Sequence, residues 1–405
     1  MLWFKYQKWI FMDFRRILGA ALLITGTSVG AGMLALPVVT AAGGFFPALT
    51  TFLLCWFVMT TTGFLYVELC TKMPANTNII SIAHKYLGNT GKIFTWLVYL
   101  FLFYCLSVAY ISGGVGFIQS MTDDAFYPPL AILFFVITFA FFVYQGAQMV
   151  DRINVFLMIG LVLSYLFFVV LGFKYIKHDL LTATQWNQAY FSLPIILVSF
   201  GYQGLIPSLS DYLKKDTKSL RLAIVLGTTM TFIIYFFWEY LILGIVPLTG
   251  KHGLLEAKLN GHSAIKPLEH LTKVKSVYTV GQFFSFFAIA TSFLGVSLGL
   301  FDFLSDGLKL TKHGWKKNIV AALTFLPPAI IAFVNPNLFL IALDYAGGIG
   351  GSLLLVFLPA LIIWRARYVQ HIYDPTTAYG GKKYLCFVFL FVLCVILINV
   401  YQQCC

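Results

Sequence analysis

Two glycine-rich segments lie inside otherwise apolar stretches, and both can present free backbone groups to a small ligand. The first covers residues 26–32 (GTSVGAG) and the second covers residues 199–204 (SFGYQG). Pro37 follows the first, and Pro194 and Pro207 flank the second. Glycine and proline disfavour a continuous helix, so each segment is expected to interrupt one. The half-helix that begins after such a break offers N–H groups to a carboxylate, and the one that ends before it offers C=O groups to an ammonium group or a cation.

A zwitterionic amino acid can therefore be bound at both ends without any buried charged side chain. The alternative for each segment by itself is close packing of small residues between helices. The candidate substrate-binding residues of the two segments are Gly26, Thr27, Ser28, Gly30, Ala31, Gly32, Ser199, Phe200, Gly201, Tyr202 and Gln203.

Acidic side chains within apolar runs are the second set of residues that can do chemistry, because a carboxylate inside a membrane is costly and usually functional. They are Glu68, Glu239, Asp302 and Asp344. The nearest charged neighbours of Glu239 in the sequence are Arg221 and Lys251. Because removal from water favours the neutral form of a carboxyl group, Glu239 or Asp344 is predicted to exchange a coupling proton.

These carboxylates also have structural interpretations. Glu239 can serve as a hydrogen-bonded structural residue. Glu68 and Asp302 lie near the ends of their runs, where Lys72 and Lys309 can pair with them at the membrane interface.

The composition requires a membrane-spanning fold around these residues. Of the 405 residues, 60% are apolar and only 10% are charged, too few charges to cover a soluble protein of this size. A spanning helix needs about 20 mostly apolar residues. The sequence contains eleven such runs, at residues 14–41, 45–71, 90–120, 128–147, 152–175, 189–212, 221–246, 278–305, 318–334, 338–364 and 384–403.

The basic residues predict the orientation of these helices. With a cytosolic N-terminus, 20 of the 27 Lys and Arg residues fall on the cytosolic side, and every one of the 27 is assigned to a position outside the hydrocarbon, which agrees with the positive-inside bias. The net charge of +12 is then explained by the orientation of the helices in the membrane and does not require a nucleic-acid partner. Residues 1–13 are predicted to form an amphipathic cytosolic segment, and an odd number of spans places the C-terminus in the periplasm.

The two glycine-rich segments occupy corresponding places in two halves of the sequence. Residues 14–175 and 189–364 contain five predicted spans each, and the first span of each half carries the break. Because each half has an odd number of spans, the second half must be inverted in the membrane relative to the first. The helix at residues 384–403 is then an additional element. Paired interrupted helices in inverted halves favour a secondary transporter with a binding site near the membrane midplane.

Six motifs in this order resemble the bacterial hydroxy and aromatic amino acid permeases of the amino acid–polyamine–organocation superfamily. They are GTSVGAGMLALPVVTAAGGF (26–45), AYISGG (109–114), LVSFGYQGLIPSL (197–209), ATSFLGVSLGLFDFLSD (290–306), TFLPP (324–328) and DYAGG (344–348). The pattern is most similar to the tyrosine-specific members and next to the tryptophan permeases. The resemblance implies an all-α, LeuT-type five-plus-five inverted fold with helices 1 and 6 broken, eleven spans, and proton-driven uptake across the bacterial inner membrane.

The resemblance also implies where the ligands bind. An aromatic substrate needs a slot of aromatic and small residues, for which Phe200 and Tyr202 are the first candidates and Tyr104 and Tyr110 further ones. In LeuT-type carriers, hydroxyls at the place of Thr291 and Ser292 bind a sodium ion, although an ordinary helix-to-helix hydrogen bond is an equal alternative.

One departure concerns the second break. Members of the family carry Gly-aromatic-His-Gly there, whereas this chain has Gly-Tyr-Gln-Gly at residues 201–204. Glutamine cannot titrate, so Gln203 can take part in hydrogen bonding but not in proton exchange.

Other functions and partners fit the sequence less well. The spans contain no motif of a membrane enzyme, no metal-ligand spacing and no repeated pore signature, so neither cofactor nor metal is predicted. Coupling to Na⁺ instead of H⁺, or another substrate such as tryptophan, phenylalanine or serine, remains the alternative within transporters. The expected partners are the amino acid, the ion and the lipid bilayer, and the expected state is a monomer.

Overall fold

The computed structural model describes residues 2–75, 77–122, 125–271, 275–372 and 378–404, with side chains from Phe14 to Gln403 within these ranges. This part of the chain is helical and contains no strand. The α-helices are α1 (Leu2–Ser28), α2 (Leu36–Thr40), α3 (Phe45–Thr71), α4 (Ile79–Met121), α5 (Pro128–Gln145), α6 (Ala147–Gly172), α7 (His178–Leu181), α8 (Trp186–Ala189), α9 (Leu193–Ser199), α10 (Ile206–Tyr212), α11 (Thr217–Ile245), α12 (Leu254–Leu259), α13 (Lys275–Gly307), α14 (Gly314–Val334), α15 (Phe339–Tyr345), α16 (Leu358–Trp364) and α17 (Lys382–Cys404).

These elements contain enough apolar helices for a polytopic membrane protein. Ten helical runs within the described ranges are long and apolar enough to cross a membrane, and an eleventh results when residues 14–28 and 31–40 count as one bent span. Large apolar side chains on the outer faces are exposed, as with Phe156 at 80% on α6, which fits contact with lipid. The amphipathic character predicted for residues 1–13 lies outside the described side chains.

The first glycine-rich segment ends a helix as predicted. Helix α1 stops at Ser28, Gly30 adopts an extended backbone (φ −157°, ψ −153°), and residues Ala31–Leu34 form a short 3₁₀ turn before α2. The axis bends by 48° across this break. Pro37 lies in the first turn of α2, where a missing N–H costs no helical hydrogen bond.

The second glycine-rich segment interrupts its helix in the same manner. Helix α9 stops at Ser199, residues 200–202 leave helical geometry, and a 3₁₀ turn at Gln203–Leu205 leads into α10. Pro194 and Pro207 lie in the first turns of α9 and α10, so each proline starts a half-helix rather than kinking one.

The first turns of α4, at residues 79–87, precede a kink at Gly88, whose positive φ of 72° suits glycine. The apolar residues Ile79, Ile82, Ala83 and Tyr86 of these turns are buried.

A π-helical segment at Ala346–Phe357 joins α15 to α16. Its glycines pack against three different helices. A Cβ on Gly347 would lie 1.8 Å from the carbonyl oxygen of Pro194 in α9, one on Gly348 would meet Asn399 in α17, and one on Gly350 would meet Leu102 in α4. Only residues without a side chain allow these backbones to approach so closely.

A buried ion pair connects the end of α3 to the end of the helical run that contains α16. Arg367 lies in the helical run Phe339–Val369 and is buried, where it forms a two-point ion pair with Glu68 at the end of α3. The expected partner of Glu68, Lys72, lies 3.9 Å away and more exposed. Arginine suits this place because its planar fork matches the two carboxylate oxygens, and backbone oxygens of Tyr379 and Gly380 accept its remaining donors.

Candidate functional site

Both breaks open onto one cavity of about 430 Å³. The glycines at the breaks leave their backbone bare on the cavity wall, which is the condition for a ligand to reach the ends of the half-helices. The predicted substrate residues that line the cavity are Gly26, Thr27, Ser28, Gly30, Ala31, Gly32, Ser199, Gly201, Tyr202, Gln203 and Tyr110. The wall is completed by residues of α4, α6, α13, α15 and the π-helical segment that follows α15.

Aromatic and aliphatic side chains form the rest of the lining. Tyr99 and Phe103 of α4 stack at a centroid distance of 4.4 Å and stand with Tyr110 on the same helix. Leu102, Leu354 and Leu355 add apolar surface. Such a wall fits the flat faces of an aromatic side chain.

Two polar atoms of the lining residues have no partner within the described part of the chain. They are Ser28 Oγ in the first break and Asn154 Oδ1 on α6. A buried polar atom without a hydrogen bond is costly, so both atoms are candidates for a hydrogen bond to a polar group of a ligand.

Gln203 uses its polar atoms within the protein. Its amide nitrogen donates to the carbonyl oxygen of Met59 (3.2 Å) and to Thr62 (3.3 Å) on α3, and its amide oxygen accepts from the backbone N–H of Tyr202 (3.1 Å). The hydroxyl of Tyr202 donates to the same Met59 carbonyl at 3.0 Å. The residue that departs from the family pattern thus attaches the second break to α3.

Three residues on one face of α11 contact the two interrupted helices. The Tyr235 hydroxyl lies at the carbonyl oxygens of Ser28 (2.7 Å) and Ser199 (2.6 Å), and the indole N–H of Trp238 donates to the carbonyl oxygen of Met33 (2.8 Å). Glu239 follows Trp238 directly and lies one turn beyond Tyr235. It is fully buried and is hydrogen-bonded to Thr40 at the end of α2. Its second carboxyl oxygen has no partner among the described residues.

The model of the tryptophan/tyrosine permease family matches residues 14–399 of the sequence. The chain belongs to this family. The match covers both breaks and all helices that line the cavity, and it makes the chain a member of a family of permeases rather than enzymes.

Individual relatives are similar to the chain over nearly their whole length. The tyrosine-specific transport system 1 of Haemophilus influenzae is 33% identical over 387 residues, which cover 92% of this chain and 94% of the relative. The tryptophan-specific transport protein of the same organism is 31% identical, with 93% of each chain covered. The glutamine transporter 2 of Aliivibrio fischeri is 30% identical over 94% of this permease and 98% of the relative.

Two of the aromatic residues predicted to line the substrate site, Phe200 and Tyr104, lie away from the cavity of the permease. Phe200 is fully buried behind the second break, where its ring meets Tyr235 edge-on at 5.0 Å and Phe52 at 6.5 Å. Tyr104 faces α14, where its hydroxyl donates to the carbonyl oxygen of Leu323 at 2.8 Å. The structure instead brings Tyr99, Phe103 and Asn154 to the cavity, and the sequence carried no motif that marked them.

The remaining carboxylates lie at the ends of helices. Asp344 in α15 accepts hydrogen bonds from Asn399 (2.5 Å) and Gln403 (3.1 Å) of α17. Burial lowers the pKa of Lys258 in the connecting helix α12, and the charge of Asp344 partly offsets this effect. Asp302 pairs with Lys312 at 2.7 Å on the surface, not with Lys309 as expected.

The two hydroxyls of the predicted cation site line the cavity at α13. Ser292 Oγ accepts a hydrogen bond from the backbone N–H of Ala31 at 3.0 Å, which connects α13 to the first break. Thr291 donates to the carbonyl oxygen of Phe287 within its own helix, 2.8 Å away. The structure therefore contains the helix-to-helix hydrogen bond that was the alternative to cation binding.

Proposed function

We propose that the chain is a secondary active transporter that imports an aromatic amino acid, tyrosine before tryptophan, together with a proton. The observation that carries this proposal is the cavity between the two breaks. Its volume of about 430 Å³ falls in the range of about 300–1,000 Å³ typical of small-molecule sites. Its bare half-helix ends suit a carboxylate and an ammonium group, and its Tyr and Phe lining suits an aromatic ring.

The names of the relatives support an amino acid as the substrate. They differ in which amino acid they name, so experiment must decide among these. The similar proteins are described as tyrosine-specific, as tryptophan-specific and, in one case, as a glutamine transporter. The unpartnered Asn154 Oδ1 favours a substrate that carries a hydrogen-bond donor besides its amino group, such as a phenol or an indole. Another neutral amino acid is the second candidate, favoured by the glutamine transporter among the relatives.

Glu239 is our first candidate for the proton, with Asp344 second. Thr40 Oγ1 lies 2.8 Å from the carbonyl oxygen of Leu36 and also contacts Glu239, yet a hydroxyl has one hydrogen. When Thr40 donates to Leu36, as threonine commonly does within a helix, only a neutral carboxyl of Glu239 can supply the second hydrogen bond. Movement of α2 away from α11 would release this contact and with it the proton. Glu68 and Asp302 are weaker candidates because they hold ion pairs.

We further propose the LeuT-type arrangement for this fold. Residues 14–175 and 189–364 form two inverted halves of five spans each, and α17 is the additional helix. The two breaks at the start of each half support this arrangement. The orientation follows from the basic residues, with the N-terminus in the cytosol and the C-terminus in the periplasm of the bacterial inner membrane. A monomer suffices, since one chain forms the whole cavity.

Uptake by the purified protein in proteoliposomes tests the proposal. Labelled tyrosine should enter saturably, exchange with internal unlabelled tyrosine, and accumulate when an inward proton gradient is imposed. Competition by tryptophan, phenylalanine, glutamine and serine ranks the substrates in the same assay. Replacement of Na⁺ by choline separates the coupling ions, because uptake that stops without Na⁺ and ignores a protonophore would refute proton symport.

A further inference from the structure

The hydroxyl of Tyr235 lies between the ends of the two interrupted helices. It is 2.7 Å from the carbonyl oxygen of Ser28, the last residue of α1, and 2.6 Å from that of Ser199, the last residue of α9. Ser28 and Ser199 are 171 positions apart in the sequence. A single side chain of α11 thus contacts the end of both half-helices that precede the breaks.

Both carbonyl oxygens lost their helical partners at the breaks. In a continuous helix, Ser28 would accept from the N–H of Gly32, and Ser199 from the N–H of Gln203. The breaks redirect the neighbouring N–H groups, since Ala31 donates to Ser292 and Gly201 donates to the carbonyl oxygen of Val198. A buried carbonyl at a helix end needs another donor, and Tyr235 supplies one.

One phenol has one hydrogen for these two acceptors. At any moment Tyr235 therefore donates to one carbonyl oxygen, while the other faces the phenol oxygen without a hydrogen between them. Ser28 and Ser199 line the cavity, whereas Tyr235 is fully buried behind them. A donor that enters the cavity can reach the carbonyl oxygen that Tyr235 leaves without a hydrogen.

Aromatic rings hold the phenol in this place. The Phe200 ring meets that of Tyr235 edge-on at 5.0 Å, and the Phe52 ring lies at 6.3 Å. Rings packed in this way keep the hydroxyl between the two carbonyl oxygens and on the far side of them from the cavity.

We propose that Tyr235 is a positioning residue that joins the two breaks through its one hydroxyl hydrogen, and that the ammonium group of the substrate satisfies the carbonyl oxygen left without one. An ammonium group has several donors, so substrate and phenol together complete the hydrogen bonding of both half-helix ends. Both half-helices are thereby held in the geometry that binds substrate. The substrate part of this inference rests on the proposed amino acid transport.

A comparison of Tyr235→Phe with Tyr165→Phe tests the proposal. Tyr165 is a matched control, because its hydroxyl donates to the carbonyl oxygen of Ile234, the neighbour of Tyr235, at 2.8 Å. Hydrogen–deuterium exchange of the purified, ligand-free protein is measured first. Y235F should speed exchange about tenfold at residues 29–32 and 200–204 together, the factor that corresponds to one net hydrogen bond, and Y165F should leave both segments unchanged.

Uptake kinetics in proteoliposomes provide the second measurement. Y235F should raise KM for the transported amino acid about tenfold and change the maximal rate less than twofold, while Y165F keeps the wild-type KM. Wild-type exchange rates at either break in Y235F, or equal changes of KM in both variants, overturn the inference. If the wild-type protein takes up no amino acid, the proposed function fails, and the exchange experiment still decides whether Tyr235 joins the breaks.

Discussion

At the residue scale, the candidate site contains a few buried polar atoms that lack a hydrogen-bond partner. Ser28 Oγ and Asn154 Oδ1 have no partner, and one oxygen of Glu239 has none either, within the described chain. Each such atom costs stability in the empty state. All three lie at or next to the two broken helices, so in the proposed transport cycle this cost would be offset when a substrate or a proton binds.

Glu239→Gln tests the role of this carboxyl group in coupling. Glutamine has nearly the same shape, and its amide group can donate a hydrogen bond to the Thr40 hydroxyl as the neutral carboxyl does, so the amount of protein in the membrane should stay unchanged. It cannot release a proton, and accumulation driven by a pH gradient should fall at least about tenfold, while exchange of internal for external substrate continues. Asp344→Asn is the matched variant for the second candidate. Normal pH-driven accumulation by E239Q would remove Glu239 from the mechanism.

Asn154→Ala tests whether the cavity binds a polar group of the substrate at α6. The lost acceptor should raise KM for tyrosine about tenfold, the effect of about 1.4 kcal/mol, and leave protein amounts unchanged. Asn318→Ala is the control, since Asn318 binds Tyr144 on the surface away from the cavity. An unchanged KM for N154A would show that Asn154 does not contact the substrate.

At the element scale, interruptions in three helical runs make the site possible. The breaks after Ser28 and Ser199 open the backbone to the cavity, and the π-helical segment at Ala346–Phe357 packs directly against α9. π-Helical turns are rare, and the glycines of this segment fit closely against neighbouring helices.

Gly347→Ala should disturb this fit between the π-helical segment and α9. The added methyl group would lie 1.8 Å from the carbonyl oxygen of Pro194, so the backbones must separate at a cost of about 1–3 kcal/mol. The purified G347A protein should therefore unfold at a lower temperature than the wild type. Gly116→Ala in α4, where a methyl group meets no atom within 4 Å, should be neutral or slightly stabilising. Equal unfolding temperatures for the two variants would contradict the close approach.

At the scale of the whole molecule, the proposed orientation assigns the two ends of helix α13 to opposite sides of the membrane. The connection between α11 and α13 carries Leu259, which is 88% exposed, and the first turn of α14 carries Trp315, which is 69% exposed. Helix α13 has 33 residues and spans about 50 Å, so these two positions lie at opposite ends of the protein.

Cysteine labelling at these two positions tests the proposed orientation. In a cysteine-free background, Leu259→Cys should react with a membrane-impermeant maleimide in cells with a permeabilised outer membrane, and Trp315→Cys should react only after the inner membrane is opened. The reverse pattern would invert the orientation inferred from the basic residues.

The sequence by itself determined the membrane class, the number of apolar runs and the position of both breaks. These features are local, because hydrophobicity over about 20 residues and the poor helix formation of glycine act within one segment. The same local signals identified the family motifs and ten cavity-lining residues of the two breaks.

Only the tertiary structure decided which side chains meet. It turned Phe200 and Tyr104 away from the cavity, brought Asn154 into it, paired Glu68 with Arg367 across 299 positions of sequence, and placed Tyr235 between two carbonyl oxygens. In a chain this rich in apolar and aromatic residues, the pattern of a helix leaves open which face meets lipid and which meets another helix. That choice depends on the packing of all helices together, so it can be read only from the folded chain.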